Sequence, residues 1–177
     1  MIDNGLERPV SFDNQHHCFG CGDLNEHGLH LRFTPDPNGN GVSALFCPAS
    51  RVEGYTGVVH GGIISTVLDE VMAWSLYRHD IWAVTGTLTT RYRQPIRIGE
   101  ETRATGFLVK DRRRAVEMRG EILRVADGMV LADATATFIR VPEGQVRAWQ
   151  ERYGRRSTRS PLATPGDDGD LSRERGA

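Results

Sequence analysis

Apolar residues recur at helical spacing along one long stretch of this chain. Ile63, Ile64, Val67, Leu68, Val71 and Met72 fall on one face of a helix predicted over about 61–78. At about 100° per residue, Asp69 lies nearly opposite that stripe, among the small residues Gly62, Ser65, Thr66 and Ala73. One face is built for a core, and the other lets something approach closely beneath a carboxylate. Elsewhere strand signals dominate. Strands are predicted after the helix over about 82–93, 101–110 and 114–125. A fourth, over about 129–140, follows the turn Ala126-Asp127-Gly128. Before the helix, Gly28 to Phe33 and Val42 to Cys47 read as two strands joined by Pro35-Asp36-Pro37-Asn38-Gly39-Asn40-Gly41. The order β-β-α-β-β-β-β predicts an α+β fold, an antiparallel sheet wrapped around one long central helix.

The 177 residues suffice for one domain with one core. The pattern divides them into an N-terminal arm, 1–17, the domain proper, 18–141, a short helical extension, 142–153, and a tail, 154–177. The tail is rich in Arg, Ser, Pro, Gly and Asp and is expected to be disordered. It helps explain a hydrophobic content of only 38%. A net charge of −1 lacks the global basic field of a nucleic-acid binder. No apolar run reaches membrane length and no secretory leader is visible, so neither a nucleic-acid nor a membrane partner is expected. Three cysteines, an odd number, argue against a disulfide scaffold and for the cytoplasm.

The helix start carries the candidate chemistry. The first N–H groups of a helix lack intrahelical partners and sit at the positive end of its dipole. Gly61 lets a ligand reach them without a Cβ in the way, so the turn His60-Gly61-Gly62 suits a carbonyl that becomes an oxyanion. Asp69 is a candidate base or nucleophile for attack on that carbonyl. Yet Gly61 and Asp69 are about 12 Å apart along a helix axis, too far to serve one carbonyl. Either a second subunit supplies the acid, or the glycines merely form a tight turn and Asp69 is a solvated surface acid.

Two further clusters stand out. His16-His17-Cys18-Phe19-Gly20-Cys21-Gly22 holds a Cys-x-x-Cys that His16, His17 or His27 could complete as a zinc site. There is no second Cys-x-x-Cys, and the favoured reading is a Cys/Gly turn packing the arm onto the sheet, with no metal assigned. Lys110-Asp111-Arg112-Arg113-Arg114 sits at a predicted turn, where its cations either grip phosphates or form a solvated hairpin tip. Arg152, Arg155, Arg156 and Arg159 read as a solvated segment.

His60-Gly61-Gly62 followed by Asp69 resembles the signature of hotdog-fold acyl-CoA thioesterases of the 4-hydroxybenzoyl-CoA thioesterase superfamily, in particular the phenylacetate-pathway type. Val84-Thr85-Gly86-Thr87-Leu88-Thr89-Thr90-Arg91-Tyr92-Arg93-Gln94-Pro95 resembles that family's strand after the central helix. Cys18-Phe19-Gly20-Cys21-Gly22 and Asn25-Glu26-His27-Gly28-Leu29 resemble an N-terminal segment of many bacterial members. The resemblance, over about 18–141, implies a hotdog fold in a homodimer or homotetramer with shared active sites. It implies hydrolysis of an acyl- or aryl-CoA to a free acid and CoA, with no cofactor and no catalytic metal. The Gly61 N–H would polarise the thioester carbonyl, the partner subunit's Asp69 would activate water or attack directly, and Thr85 would orient the water. His60 and Gly62 would border the substrate, His60 more as a turn-fixing hydrogen bonder than as a base. Lys110, Arg112, Arg113 and Arg114 would hold the CoA phosphates. One departure is plain: some relatives carry Asn or Gln before the His-Gly-Gly turn, where this chain has Val52-Glu53-Gly54-Tyr55. Two alternatives remain open at this point. One is a 2-enoyl-CoA hydratase or dehydratase pairing His60 with Asp69 or Glu70. The other is a non-catalytic acyl-CoA-binding module.

Overall fold

A computed structural model describes residues 14–36, 39 and 41–153. Most of the expected arm, 1–13, and all of the expected tail, 154–177, lie outside the described residues. The elements are β1 (Phe33–Pro35), β2 (Val42–Phe46), a 3-10 turn (Ser50–Val52), β3 (Glu53–Tyr55), β4 (Val58–Val59), α1 (Gly61–Arg78), β5 (Ala83–Tyr92), β6 (Thr102–Asp111), β7 (Ala115–Arg124), β8 (Val130–Arg140) and α2 (Glu143–Tyr153).

The helix begins where its sequence says it should. His60 is the N-cap, with φ −61° and ψ 133°, and its Nδ1 accepts from the Gly62 N–H at 3.0 Å. The expected apolar stripe is buried at Ile64, Val67, Leu68, Val71 and Met72, while Ile63 is half-buried. The last four of those buried side chains are wholly inaccessible, each stabilising by about 1.5–3 kcal/mol relative to exposure. Burial widens toward the C-terminus to take in Trp74, Ser75 and Leu76. The buried Ser75 hydroxyl is satisfied: it donates to Val71 O at 2.7 Å and accepts from Val42 N at 3.1 Å.

All six strands of the main sheet pair antiparallel in the order β1-β2-β6-β7-β8-β5, with β3 and β4 forming a separate small hairpin. The sheet wraps α1, the hotdog arrangement, and the core fills the space between. Val116, Met118, Ile122, Leu131 and Phe138 supply the sheet's inward side chains. The approach is close enough to require glycine at 106, where a Cβ would lie 2.3 Å from Val71 O. Phe138 pairs with both Thr85 and Val116, so these residues form one row across the sheet. Ala132 pairs with Tyr92 and Ile122, a second row toward the opposite end.

One expected strand does not form. Residues 28–32 are not a strand, and β1 begins only at Phe33. His30 has φ 51°, which interrupts an extended run. The backbone instead bonds the cysteine loop, Leu29 N to Phe19 O at 2.7 Å and Leu31 N to Gly20 O at 2.9 Å. Residues 53–59, just before α1, carry the β3–β4 hairpin. Among the described residues no helix is long and apolar enough to cross a membrane.

Candidate active site

α1 presents two separate groups to its surroundings. At its start, the Gly61 N–H makes no hydrogen bond among the described residues, because Gly62 N is taken by His60 Nδ1 and Ile63 N and Ile64 N both bond His60 O. The Tyr92 hydroxyl closes this end, donating to Gly61 O at 3.1 Å and lying 2.8 Å from Ser65 Oγ, which lies 3.1 Å from Thr90 Oγ1. A cavity of about 310 Å³ opens beside it, lined by Val58, Gly61, Ile64, Tyr92 and Pro95 among others. An uncapped donor above an apolar hollow can hold a carbonyl oxygen.

Two turns along, Asp69 is half-buried rather than fully solvated, and Thr85 Oγ1 on β5 donates to its Oδ1 at 2.7 Å. Burial raises the Asp69 carboxyl above its ordinary range. The Thr85 hydrogen bond opposes that rise, and the charge of Cys18 adds to it. A carboxylate made more basic by burial and aimed by one hydroxyl is suited to taking a proton from water. Asp69 and Thr85 are thus brought together, and Gly61 is not with them. Thr85 and Tyr92 lie about 23 Å apart along β5 at strand spacing. His60 is exposed, serves as the helix cap and precedes Asp69 by about 13.5 Å of helix. It forms no acid–base pair with Asp69 or Glu70 within one chain. Glu53 Oε1 accepts from Gly57 N at 2.9 Å and closes the turn between β3 and β4.

The cationic turn joins β6 to β7. Arg112 is held by Glu117 at 2.7 Å, and Asp111 by Arg140 at 2.6 Å. Lys110, Arg113 and Arg114 make no ion pair among the described residues. Val116 shares a sheet row with Thr85, so this turn lies at the Asp69–Thr85 end.

The sequence reading missed two groups. Ser65, Thr90 and Tyr92 build the wall beside Gly61; the alternation of Thr90 and Tyr92 on one face of β5 was the available signal. Glu70, which the alternative reading paired with His60, instead meets the cysteines: Cys18 Sγ lies 3.3 Å from Glu70 Oε1. No local pattern announces a contact across 52 residues. Burial first, then the Cys18 charge, pushes the Glu70 carboxyl up to about 8. Hydrogen bonding from Cys21 first, then from the backbone N–H groups of Cys21 and Gly20, pulls the Cys18 thiol down to about 5. Cys21, donating to Cys18 and buried, is pushed up. His27 is exposed and does not join them.

Residues 56–130 match the thioesterase superfamily. The chain is 31% identical over 97 residues to the acyl-coenzyme A thioesterase THEM4 of Xenopus laevis, covering 55% of this chain and 44% of that one. It spans about half the length of the curated relatives it matches, 58% and 44%. The crystal structure of protein RHA08564, a thioesterase superfamily protein, superposes with a TM-score of 0.64 at 25% identity, covering 70% of this chain and 60% of that one. A hypothetical thioesterase protein with coenzyme A from Streptococcus pneumoniae shares the fold, with a TM-score of 0.57 at 19% identity over 63% of this chain and 85% of that one. Residues 56–130 are thus similar to the thioesterase superfamily, and the hotdog fold built around them is shared with solved thioesterase superfamily proteins.

Proposed function

We propose that this protein is an acyl-CoA thioesterase, releasing a free acid and CoA from an acyl- or aryl-CoA at sites shared between two copies of the chain. The observation that carries the reading is the separation of two halves of one site. An uncapped Gly61 N–H lies at one end of β5 and an aimed Asp69–Thr85 pair at the other. β5 is the outer strand of the sheet, bonded only to β8. A long free edge invites a second strand. Antiparallel pairing of two β5 strands about their midpoint, between Leu88 and Thr89, sets Tyr92 of one copy across from the partner subunit's Thr85. That brings the Gly61 N–H of one copy to the carboxylate of the other.

In such a site the thioester oxygen accepts from Gly61 N–H, and Asp69 takes a proton from the attacking water. The carbon–sulfur bond then breaks, and the leaving sulfur takes that proton back from Asp69, so CoA departs as the thiol. Asp69 also has the chemistry to attack the carbonyl itself, forming an anhydride that water opens. Incorporation of oxygen-18 into Asp69 during a single turnover separates the routes. Lys110, Arg113 and Arg114 meet the CoA phosphates, with Arg112 partly committed to Glu117. The relationship to THEM4 and the fold shared with a coenzyme A-bound thioesterase support this substrate class. A dimer, or a dimer of dimers, in the cytoplasm completes the proposal; the three free cysteines suit a reducing compartment. Residues 18–141 would form the catalytic domain, followed by α2 and an accessory tail.

The test is a thiol-release screen across short, long and aromatic acyl-CoAs. Release of CoA from at least one class is expected. No thiol release from any of them, together with consumption of a 2-enoyl-CoA, would replace this reading with the hydratase.

A further inference from the structure

Cys18, Cys21 and Glu70 bring two sulfurs and a carboxylate oxygen within 4.8 Å of one another. The three ligands come from two separate parts of the chain, the loop 18–21 and the middle of α1. We propose that they bind a structural zinc ion, or a similarly thiophilic divalent cation, which pins the N-terminal segment to α1 one residue from Asp69.

The loop has the geometry of a metal-binding knuckle. Gly22 N bonds Cys18 O at 2.9 Å and closes the turn. The two glycines are required by space. A Cβ on Gly20 would lie 2.3 Å from the Glu70 side chain, and one on Gly22 would lie 2.1 Å from His16 O. The loop is therefore folded tightly onto Glu70.

The donor set suits zinc, which accepts thiolates at about 2.3 Å and carboxylate oxygens at about 2.0–2.2 Å in a tetrahedron. Sulfur and oxygen ligands of such an ion sit roughly 3.5 Å apart, close to the 3.3 Å between Cys18 Sγ and Glu70 Oε1. The cluster borders a cavity of about 370 Å³ whose lining also includes His16 and His17, immediately before the knuckle. Water from that cavity would supply the fourth ligand.

Cys47 supplies an internal control, because it is exposed and belongs to another part of the fold. The experiment uses the full chain, reduced, stripped of metal with a chelator, then dialysed against zinc. About one tightly held zinc per chain is expected by elemental analysis. Cys18→Ser with Cys21→Ser should abolish it, and Glu70→Gln should weaken it, with folding followed by circular dichroism. In the unaltered protein, zinc should slow alkylation of Cys18 and Cys21, read peptide by peptide, and leave Cys47 as reactive as before. Cobalt in place of zinc should give a thiolate-to-metal charge-transfer band. The proposal is overturned if the unaltered, reduced protein retains no zinc, if zinc leaves Cys18 alkylation unchanged, or if the double variant holds as much zinc as the parent.

Discussion

Asp69 and Glu70 are adjacent acids on one helix, and a rotation of about 100° separates their environments. Asp69 meets a single hydroxyl, Thr85 Oγ1, on the strand whose outer edge is free. Glu70 meets two thiols of a folded loop and rests against Gly20 so closely that a Cβ there would displace its side chain. Burial raises both carboxyls. What surrounds them differs: one faces a surface that a substrate and a second subunit can reach, the other a knuckle built from its own chain. Residue type alone would have made the two interchangeable.

The sharpest way to break that comparison is to remove each acid in turn. Asp69→Asn should lower kcat by about 10²–10⁴, the usual cost of losing a general base. Glu70→Gln should reduce it far less and act chiefly on the anchoring of residues 16–22. Steady-state kinetics with any acyl-CoA found to release thiol, beside limited proteolysis of both proteins, reads the two effects. If Glu70→Gln abolished turnover while Asp69→Asn preserved it, the roles assigned here would have to be exchanged.

The second comparison is between the two ends of α1. Gly61→Pro deletes the uncapped N–H and adds a ring beside it while keeping the helix, because proline is tolerated at the first helical position. The preceding His60, at ψ 133°, already has the backbone that proline requires. Losing an oxyanion donor should cost about 10²–10³ in kcat. Mixing Gly61→Pro with Asp69→Asn should then recover part of the activity, since a hybrid dimer rebuilds one complete site. Demonstrated subunit exchange with no recovery would mean that the two groups do not serve one site.

Most of the architecture was legible because periodicity reports burial directly. The long central helix, the four long strands after it and the turn at Gly128, with φ 71°, follow from period, length and turn chemistry. Residues 28–33 read as a strand because a strong turn signal, Pro35 to Gly41, follows them. The bonds that turn them instead toward Phe19 and Gly20 are tertiary and leave no local trace. The same holds within the site. Gly61 and Asp69 stand out by position on the helix, and Thr85 through family resemblance. Tyr92 and Glu70 acquire their roles from partners 31 and 52 residues away.

A milder change tests how Asp69 is aimed. Thr85→Val keeps the strand residue β-branched and removes only the hydroxyl that donates to Oδ1. A hydrogen bond to a charged group is worth about 1.5–3 kcal/mol, so a loss of at least about tenfold in kcat is expected with KM little altered. Thr85→Ser should restore most of it. Equal kcat for the valine and serine variants would show that the hydroxyl does not orient the acid.

The smallest effect should come from the turn between β6 and β7, and it separates binding from chemistry. Lys110, Arg113 and Arg114 lie at the Asp69–Thr85 end of the sheet and have no ion-pair partner among the described residues, whereas Arg112 is held by Glu117 at 2.7 Å. Exposed charge pairs contribute about 0.2–1 kcal/mol each. Replacing the three unpaired cations with alanine should therefore raise KM for an acyl-CoA by at least about threefold, with kcat nearly constant. Arg112→Ala alone should do less, because its guanidinium already answers a carboxylate. The penalty should shrink as salt screens the phosphates. An acyl-N-acetylcysteamine thioester offers the same reacting bond without any phosphate, so its hydrolysis should be indifferent to all four changes. Matching losses on both substrates would move these residues out of phosphate binding and into the folding of the hairpin.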